Sequence, residues 1–404
     1  MRPPAPSFVR PWLAQALPVR GPRVCAGARL LTTTSVARAE PPKVPVALIS
    51  KIRAARPGTP LSLAKSALVA ANNDLDAALA WISKQAAESG AKKAEKLASR
   101  TAEQGLVAVA VLADGTGQVG VRAALVELRC ETDFVARTDE FRELAEGIAR
   151  SLAYFAEPST SAGATPAAAL TKLDTAKDDV LETPVVPSPA RVAALAESGN
   201  SVAAAASQET VRSSLAQIVS RLGENIRLHR AASISLEPGL PTSDAASSSS
   251  VAAAPRYLAS SYLHASKTPA DAAASGVQSG TLGGLVLARL AAFPAGTARP
   301  ETSEIKGILR ALARQVVAVP TESVRPATGG ADAGAADGEQ SLALYEQPLI
   351  TLAPSPKFDF EAGSKVADVL AKWSELRGMK QGEGLEVVEL ARWELGAAEA
   401  DATE

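Results

Sequence analysis

The chain has 404 residues, of which 47% are hydrophobic, and its 42 Lys and Arg residues nearly balance its 43 Asp and Glu residues. A chain of this length and composition can bury sizeable cores and form roughly two or three domains, which excludes a fibrous protein. The richest apolar run, residues 282–293, contains Arg289 and is shorter than the ~20 residues that a membrane helix needs. We therefore expect a globular protein with no membrane partner.

Residues 1–38 have the composition of a transit peptide. They contain six Arg residues, no Lys, Asp or Glu, and the hydroxylated run TTTS at 32–35. This composition is typical of a presequence for import into an organelle, most simply the mitochondrion, and the matrix is the expected location. A disordered basic arm that binds nucleic acid is the alternative. The exact cleavage site stays open.

The rest of the chain is acidic and has a single cysteine. Without the presequence, 36 basic residues remain against 43 acidic ones, a net charge of about −7. No basic patch with interleaved aromatic residues occurs, so we expect no direct binding to nucleic acid. Cys25 leaves with the presequence, and Cys130 then has no disulfide partner, as is typical of a reducing compartment.

The first predicted domain, residues 45–90, is a module of three short helices of about the size of a ubiquitin-associated domain. Asn73 is placed to cap its third helix. Residues 89–100 follow as a polar, basic connector. Apolar residues at helical spacing define the helices: Val46, Ile49 and Ile52, then Leu63, Ala67 and Leu68, then Leu75, Leu79 and Ile82.

A β-hairpin is predicted next. Val107, Val109 and Val111 alternate as in a strand, residues 114–117 (DGTG) supply a turn, and Val119 and Val121 begin the second strand. The turn also spells G-x-G-x-x-G, which makes a dinucleotide-binding enzyme an alternative. That fingerprint needs a helix at its last glycine and then another strand, whereas residues 121–129 continue directly into CETDF.

Three segments rich in Ala, Ser, Gly and Pro are predicted to be mobile insertions: 156–170, 241–255 and 326–340. Between them, periodicity predicts a helix at 208–222 stopped by Gly223, a strand at 226–236, paired strands at 256–266 and 283–293, a helix at 301–319, a strand at 348–353, a helix at 364–376 and a strand at 385–395. The elements do not alternate as βαβ units. We therefore predict an α+β fold, with a core of two subdomains, 104–240 and 256–400, that contain antiparallel sheets and packed helices.

Residues for catalysis are scarce. His229 and His264 with one cysteine are too few for a zinc site, and no phosphate-loop lysine motif occurs. We predict no catalytic residue, no metal and no cofactor, and expect a protein that binds a partner without making bonds. It is not expected to be an enzyme.

Residues 130–136, CETDFVA, resemble the signature C-Q-T-D-F-V-A of the elongation factor Ts family. Further segments resemble the family in the same order: RLGENIRLHRAA at 221–232, SYLHAS at 261–266, EQPLI at 346–350 and VADVLAKW at 366–373. The likeness spans about residues 45–396, and with the transit peptide it indicates the mitochondrial form. Members of this family are guanine-nucleotide exchange factors for elongation factor Tu.

The resemblance implies a site and a partner. Thr132, Asp133, Phe134 and Val135 would contact mitochondrial elongation factor Tu in a 1:1 heterodimer. Phe134 would wedge between helices of the partner's GTPase domain, with Asp133 hydrogen-bonding beside it, so that GDP leaves and GTP can bind. Leu222 and His264 match family positions on the partner face.

Other interpretations of the same residues remain open. Phe134 is alternatively a core aromatic residue at the start of the next helix, and Leu222 and His264 are alternatively core residues. The chain as a whole is alternatively a mitochondrial adaptor with a docking module and no exchange activity. The family's T-G-A-G motif is absent from the first module, so contacts of that loop do not carry over, and the Ala/Gly-rich 326–340 stands where bacterial members insert a helical protrusion.

Overall fold

A computed structural model describes eleven stretches of the chain: residues 44–56, 59–157, 169–197, 209–238, 255–265, 276–294, 296–297, 299–326, 341–356, 358–380 and 383–397. The predicted transit peptide 1–38 lies outside these ranges. So does most of each predicted insertion, 156–170, 241–255 and 326–340.

Three helices open the described chain, as predicted: α1 (Val46–Ala55), α2 (Leu61–Ala70) and α3 (Leu75–Leu97). They share a small core that includes Ile52, Leu68 and Ile82. The likeness of this module to a ubiquitin-associated domain stays a prediction.

Two details of this module differ from the sequence prediction. Asp74 caps α3, because its side chain accepts a hydrogen bond from the Ala77 N–H at 3.0 Å. Asn73 instead takes a left-handed backbone conformation (φ 66°) in the turn before it, which Asn tolerates better than most residues. The predicted connector 89–100 is helical up to Leu97, because its helix packs along a later helix of the core.

The first sheet has the strand order β3-β4-β2-β1-β6 with antiparallel pairing throughout. Its strands are β1 (Gln104–Asp114), β2 (Val121–Cys130), β3 (Leu170–Leu173), β4 (Arg227–Leu236) and β6 (Val277–Gly280). The predicted hairpin is β1 and β2, joined at Gly115 (φ 79°) and a short 3-10 turn, Thr116–Gln118. Gly120 leads into a strand and not into a helix, so the glycine pattern makes a turn and the dinucleotide alternative fails.

The second sheet has the order β5-β7-β8, formed by β5 (Arg256–His264), β7 (Leu282–Leu290) and β8 (Leu385–Glu394). The predicted pairing of 256–266 with 283–293 is confirmed, with His264 opposite Leu282. β6, from the range predicted for the second subdomain, pairs with β1 of the first sheet. The chain thus crosses between the sheets at 281.

The helices cover the outer faces of the two sheets. α4 (Asp133–Ala136) and α5 (Asp139–Phe155) pack on the first sheet, and α8 (Val211–Leu222) packs along α3 and shares the same core. α9 (Thr302–Ala318) and α10 (Val366–Glu375) pack on the second, and the inner faces of the sheets meet in a third core. The short helices α6 (Asp178–Leu181) and α7 (Pro189–Glu197) lie in the connection between β3 and α8. This arrangement is the predicted α+β class.

The strand predicted at 348–353 is wrong. Gln315 on α9 satisfies the backbone there, since its side-chain Nε2 donates to the Pro348 carbonyl at 3.1 Å and its Oε1 accepts from the Ile350 N–H at 3.2 Å. The Leu349 N–H donates to the Ser364 carbonyl at 2.9 Å, but this pairing stays an isolated bridge and does not extend into a strand. Leu349 still points into the core, which explains the apolar pattern.

The end of the predicted insertion 156–170 is part of the fold. Leu170 begins β3, and Ala169 is buried. The backbone N–H groups of both residues donate to the same carboxylate oxygen of Glu389 on β8, each at 2.8 Å. Glu389 therefore holds the start of β3 against the second sheet.

Candidate functional site

The signature segment forms a tight turn where β2 leaves the first sheet. Thr132 caps the one-turn helix α4, and its Oγ1 accepts a hydrogen bond from the Val135 N–H at 3.4 Å. Thr138 caps α5 in the same way, accepting from the Phe141 N–H at 3.3 Å. Two caps six residues apart in sequence keep this turn short and well defined.

Phe134 projects from this turn into solvent. Its side chain is 80% exposed, more than any other large hydrophobic side chain in the part of the chain that the structure describes. Phe141, one helix later, is fully buried. Phe134 is therefore no core aromatic, and the ring that packs the start of α5 is Phe141.

The neighbours of Phe134 point in different directions. The Asp133 carboxylate is half exposed and pairs with Arg137 at 2.9 Å. Val135 is 8% exposed and belongs to the core between the helices and the first sheet. Val135 thus suits an anchor for the turn, whereas Asp133 and Phe134 present their side chains outward.

Glu224, which follows α8, ties down the start of the turn. Its carboxylate accepts from the Thr132 backbone N–H at 3.1 Å and from Thr132 Oγ1 at 2.6 Å. The next residue returns the contact, since the Asn225 N–H donates to Glu131 Oε1 at 2.7 Å. Asn225 Nδ2 also donates to the Arg100 carbonyl at 2.7 Å, beyond the end of α3.

Sequence reasoning missed Glu131, Glu224 and Asn225 as supports of the turn. The available signal was the G-E-N-I resemblance at 223–226. The resemblance pointed to Leu222 ahead of that segment and gave no role to its polar residues Glu224 and Asn225.

Cys130 lies under the turn and stays a thiol. Its Sγ–H donates to the Thr132 carbonyl at 3.2 Å. Burial, with the nearby Glu224 carboxylate, raises the pKa of the Cys130 thiol to about 12. The first residue of the signature therefore supports the backbone and is no nucleophile at neutral pH.

Leu222 and His264 lie on two different elements. Leu222 ends α8, partly buried against the same core as Val135, and Gly223 (φ 74°) stops the helix as predicted. His264 is exposed at the end of β5, opposite Leu282. Because Gly280 pairs with Val107, the register puts His264 at the end of the sheets where β2 leads into the turn.

In the described ranges no group of three or more His, Cys, Asp or Glu side chains is arranged to hold a metal ion. The helices described there are all too short or too polar to cross a membrane.

Comparison with known proteins identifies the family. No family model matches the chain. Elongation factor Ts, mitochondrial, from Mycosarcoma maydis is 33% identical over 403 residues, which cover 88% of this chain and 85% of the relative. The protein of the same name from Coprinopsis cinerea is 32% identical over 366 residues, covering 88% of this chain and 92% of the relative, and that from Malassezia globosa is 32% identical over 385 residues, covering 87% and 88%.

The chain belongs to the mitochondrial elongation factor Ts family. Membership makes it a translation elongation factor and supports a mitochondrial location. In this chain, the signature segment 130–136 is the capped turn that exposes Phe134. The segment that carries the family resemblance is therefore the same segment that exposes Phe134 at the surface.

Proposed function

We propose that this chain binds mitochondrial elongation factor Tu in the matrix, as a 1:1 heterodimer, and promotes the release of GDP so that GTP can bind. The chain itself makes no bonds, holds no cofactor and is not an enzyme in this proposal. The supporting observation is Phe134, an 80% exposed aromatic ring on a capped turn within the family signature.

The physical problem is to loosen a tightly held nucleotide. GTPases hold GDP and Mg²⁺ through backbone amides, a phosphate loop and ordered switch segments. A protein partner shifts this equilibrium only if it binds a distorted conformation better than the nucleotide-loaded one. A large apolar ring that is exposed in the free chain supplies such a preference, because it gains by burial only where the partner opens a pocket for it.

The turn is suited to this task because it is short and held at both sides. Val135 anchors α4 in the core and Thr132 is bound to Glu224, so the free chain presents the ring in one arrangement. A preorganised contact loses less conformational entropy on binding. Asp133 lies beside the ring, where its half-exposed carboxylate, paired with Arg137, can also accept a hydrogen bond from a donor of the partner.

Binding and nucleotide release are coupled in both directions. If the chain weakens GDP binding to elongation factor Tu, GDP must weaken the binding of the chain by the same factor. Incoming GTP would then drive the chain from its partner. An adaptor that docks through the helical module 45–90 remains the second candidate, and it would bind without changing nucleotide release.

The first prediction separates these two candidates. Mixing the chain with mitochondrial elongation factor Tu loaded with fluorescent GDP is expected to accelerate GDP release in a stopped-flow experiment. The chain alone is expected to hydrolyse no GTP. Release that a molar excess of the chain leaves unchanged, with binding still detected, would favour the adaptor.

A second prediction concerns two of the insertions. Hydrogen bonds close the chain on both sides of 327–340: the Glu322 N–H donates to the Leu342 carbonyl and the Leu344 N–H to the Ser323 carbonyl, both at 2.9 Å. Replacing 326–340 with a short Gly/Ser linker is therefore expected to leave exchange within a few-fold of the wild type. The same result is expected for 241–255, because its Ala/Ser-rich composition offers few large apolar residues to a core or an interface. A folded variant that has lost exchange would show that the replaced segment contacts the partner.

A further inference from the structure

We propose that Glu224 is a positioning residue for Phe134. The inference rests on the proposed function, because it assigns Glu224 a part in the same site. Both carboxylate oxygens of Glu224 accept hydrogen bonds from one residue, Thr132: one from its backbone N–H at 3.1 Å and the other from its hydroxyl at 2.6 Å. Thr132 caps the single turn of helix that carries Phe134.

The turn depends on this contact for its orientation. α4 contains only four residues, and one isolated turn of helix is unstable in water. Its supports are the side chain of Val135 and the cap residue Thr132. An apolar anchor resists removal from the core but allows rotation, whereas hydrogen bonds to a carboxylate are directional and stronger than neutral ones. Glu224 therefore determines the direction in which Phe134 points.

The support itself is rigid. Glu224 follows the end of α8, whose residues Ile218 and Val219 are buried in the core. On its other side α8 packs against α3 so closely that a Cβ on Gly90 would lie 1.7 Å from the Ala216 carbonyl oxygen. Ser89 and Ser220 are hydrogen-bonded between these helices at 3.0 Å.

A reciprocal contact secures the same junction. Glu131 accepts from the Asn225 N–H, and Asn225 reaches the Arg100 carbonyl after α3. The turn is thus fastened to α8 by Glu224 and, through Asn225, to the end of the N-terminal helical module. A group that acts through Phe134 in this way needs no contact with the partner.

The test is a double-mutant cycle on GDP release. Glu224→Ala is expected to slow stimulated release by roughly tenfold, since it removes two hydrogen bonds to a charged acceptor. In a Phe134→Ala background the same change is expected to have an effect below about twofold, because the ring that it positions is gone. Glu224→Gln keeps one acceptor oxygen and is expected to fall between the wild type and Glu224→Ala.

Two further measurements distinguish positioning from folding. Backbone amide hydrogen exchange is expected to accelerate in residues 131–138 and to stay unchanged in 139–155. Glu182→Ala is the matched control, because Glu182 pairs with Arg212 at 2.5 Å at the opposite end of α8 and should leave GDP release unchanged. If Glu224→Ala fails to fold, Glu224→Gln carries the same double-mutant cycle, because it keeps one acceptor oxygen for Thr132 and leaves the Thr132 cap of α4 in place.

The outcomes are distinct. The positioning role would be overturned if Glu224→Ala slowed stimulated GDP release equally in the wild-type and Phe134→Ala backgrounds, or slowed it in neither. The proposed function would remain intact in both cases. If the wild-type chain does not accelerate GDP release, the proposed function fails first. If the wild type is active but Phe134→Ala is equally active, the wedge and its positioning both fail.

Discussion

Replacing Phe134 with alanine is expected to slow stimulated GDP release by an order of magnitude or more while leaving the melting temperature nearly unchanged. The ring is 80% exposed, so its removal costs the free chain little burial. At the desolvated centre of an interface, truncation of such a side chain typically costs ~2 kcal/mol or more, which corresponds to roughly thirtyfold. Asp133→Ala is expected to have the same pattern more weakly, since it loses a hydrogen bond and not an anchor.

Phe141→Ala is the matched control for this prediction. Phe141 lies seven residues further along and is fully buried, so its truncation is expected to lower the free energy of unfolding by about 3–5 kcal/mol. Its folded fraction should still accelerate GDP release normally. Urea unfolding and stopped-flow release on both variants decide the matter. A Phe134→Ala protein that is strongly destabilised, and whose folded fraction exchanges normally, would contradict the wedge.

Glu127→Ala is expected to lower the free energy of unfolding by about 3–5 kcal/mol, because it leaves the buried guanidinium of Arg129 and the partly buried one of Arg230 without their carboxylate. Glu127 lies on β2 and is fully buried. It accepts from Arg129 Nε and from Arg230 Nε, both at 2.6 Å. The guanidinium of Arg230 also stacks over Trp393, with its Cζ 4.5 Å from the centre of the ring. The cluster therefore joins β4 of the first sheet to β8 of the second.

A solvent-exposed pair provides the comparison for Glu127. Glu237 contacts Arg122 at 2.5 Å, but its side chain is 47% exposed. Exposed ion pairs contribute about 0–1 kcal/mol, so Glu237→Ala should shift the urea midpoint only slightly. Similar losses in the two variants would show that the buried cluster contributes no more than a surface pair.

Most elements followed from local patterns in the sequence. The alternating valines of β1, the turn glycine Gly115 and the helix stop at Gly223 depend on neighbours within a few residues, and each is found as predicted. Such elements are predictable because backbone conformation and amphipathic periodicity are set largely by adjacent residues. The role of Phe134, in contrast, was implied by the resemblance of CETDFVA to the family signature and stays a prediction.

Other features depended on residues that are distant in the chain. An apolar run at 348–353 has the pattern of a strand, yet its backbone bonds to the side chain of Gln315 on α9 and to Ser364 in an isolated bridge, and no strand forms. Phe134 and Phe141 are two phenylalanines only seven residues apart. The packing of α5 on the first sheet decides that Phe141 is buried and Phe134 is not.

The sequence by itself thus determined the class of the fold, most of its helices and strands, and the family signature. Only the tertiary structure decided that the signature is an exposed turn, that Val135 anchors it, and that Glu224, 92 residues after Thr132, holds it. The residues next to Glu224 in the sequence do not indicate which group its carboxylate will bind. Glu224 reaches Thr132 only because the packing of α8 against the core places it at the end of β2.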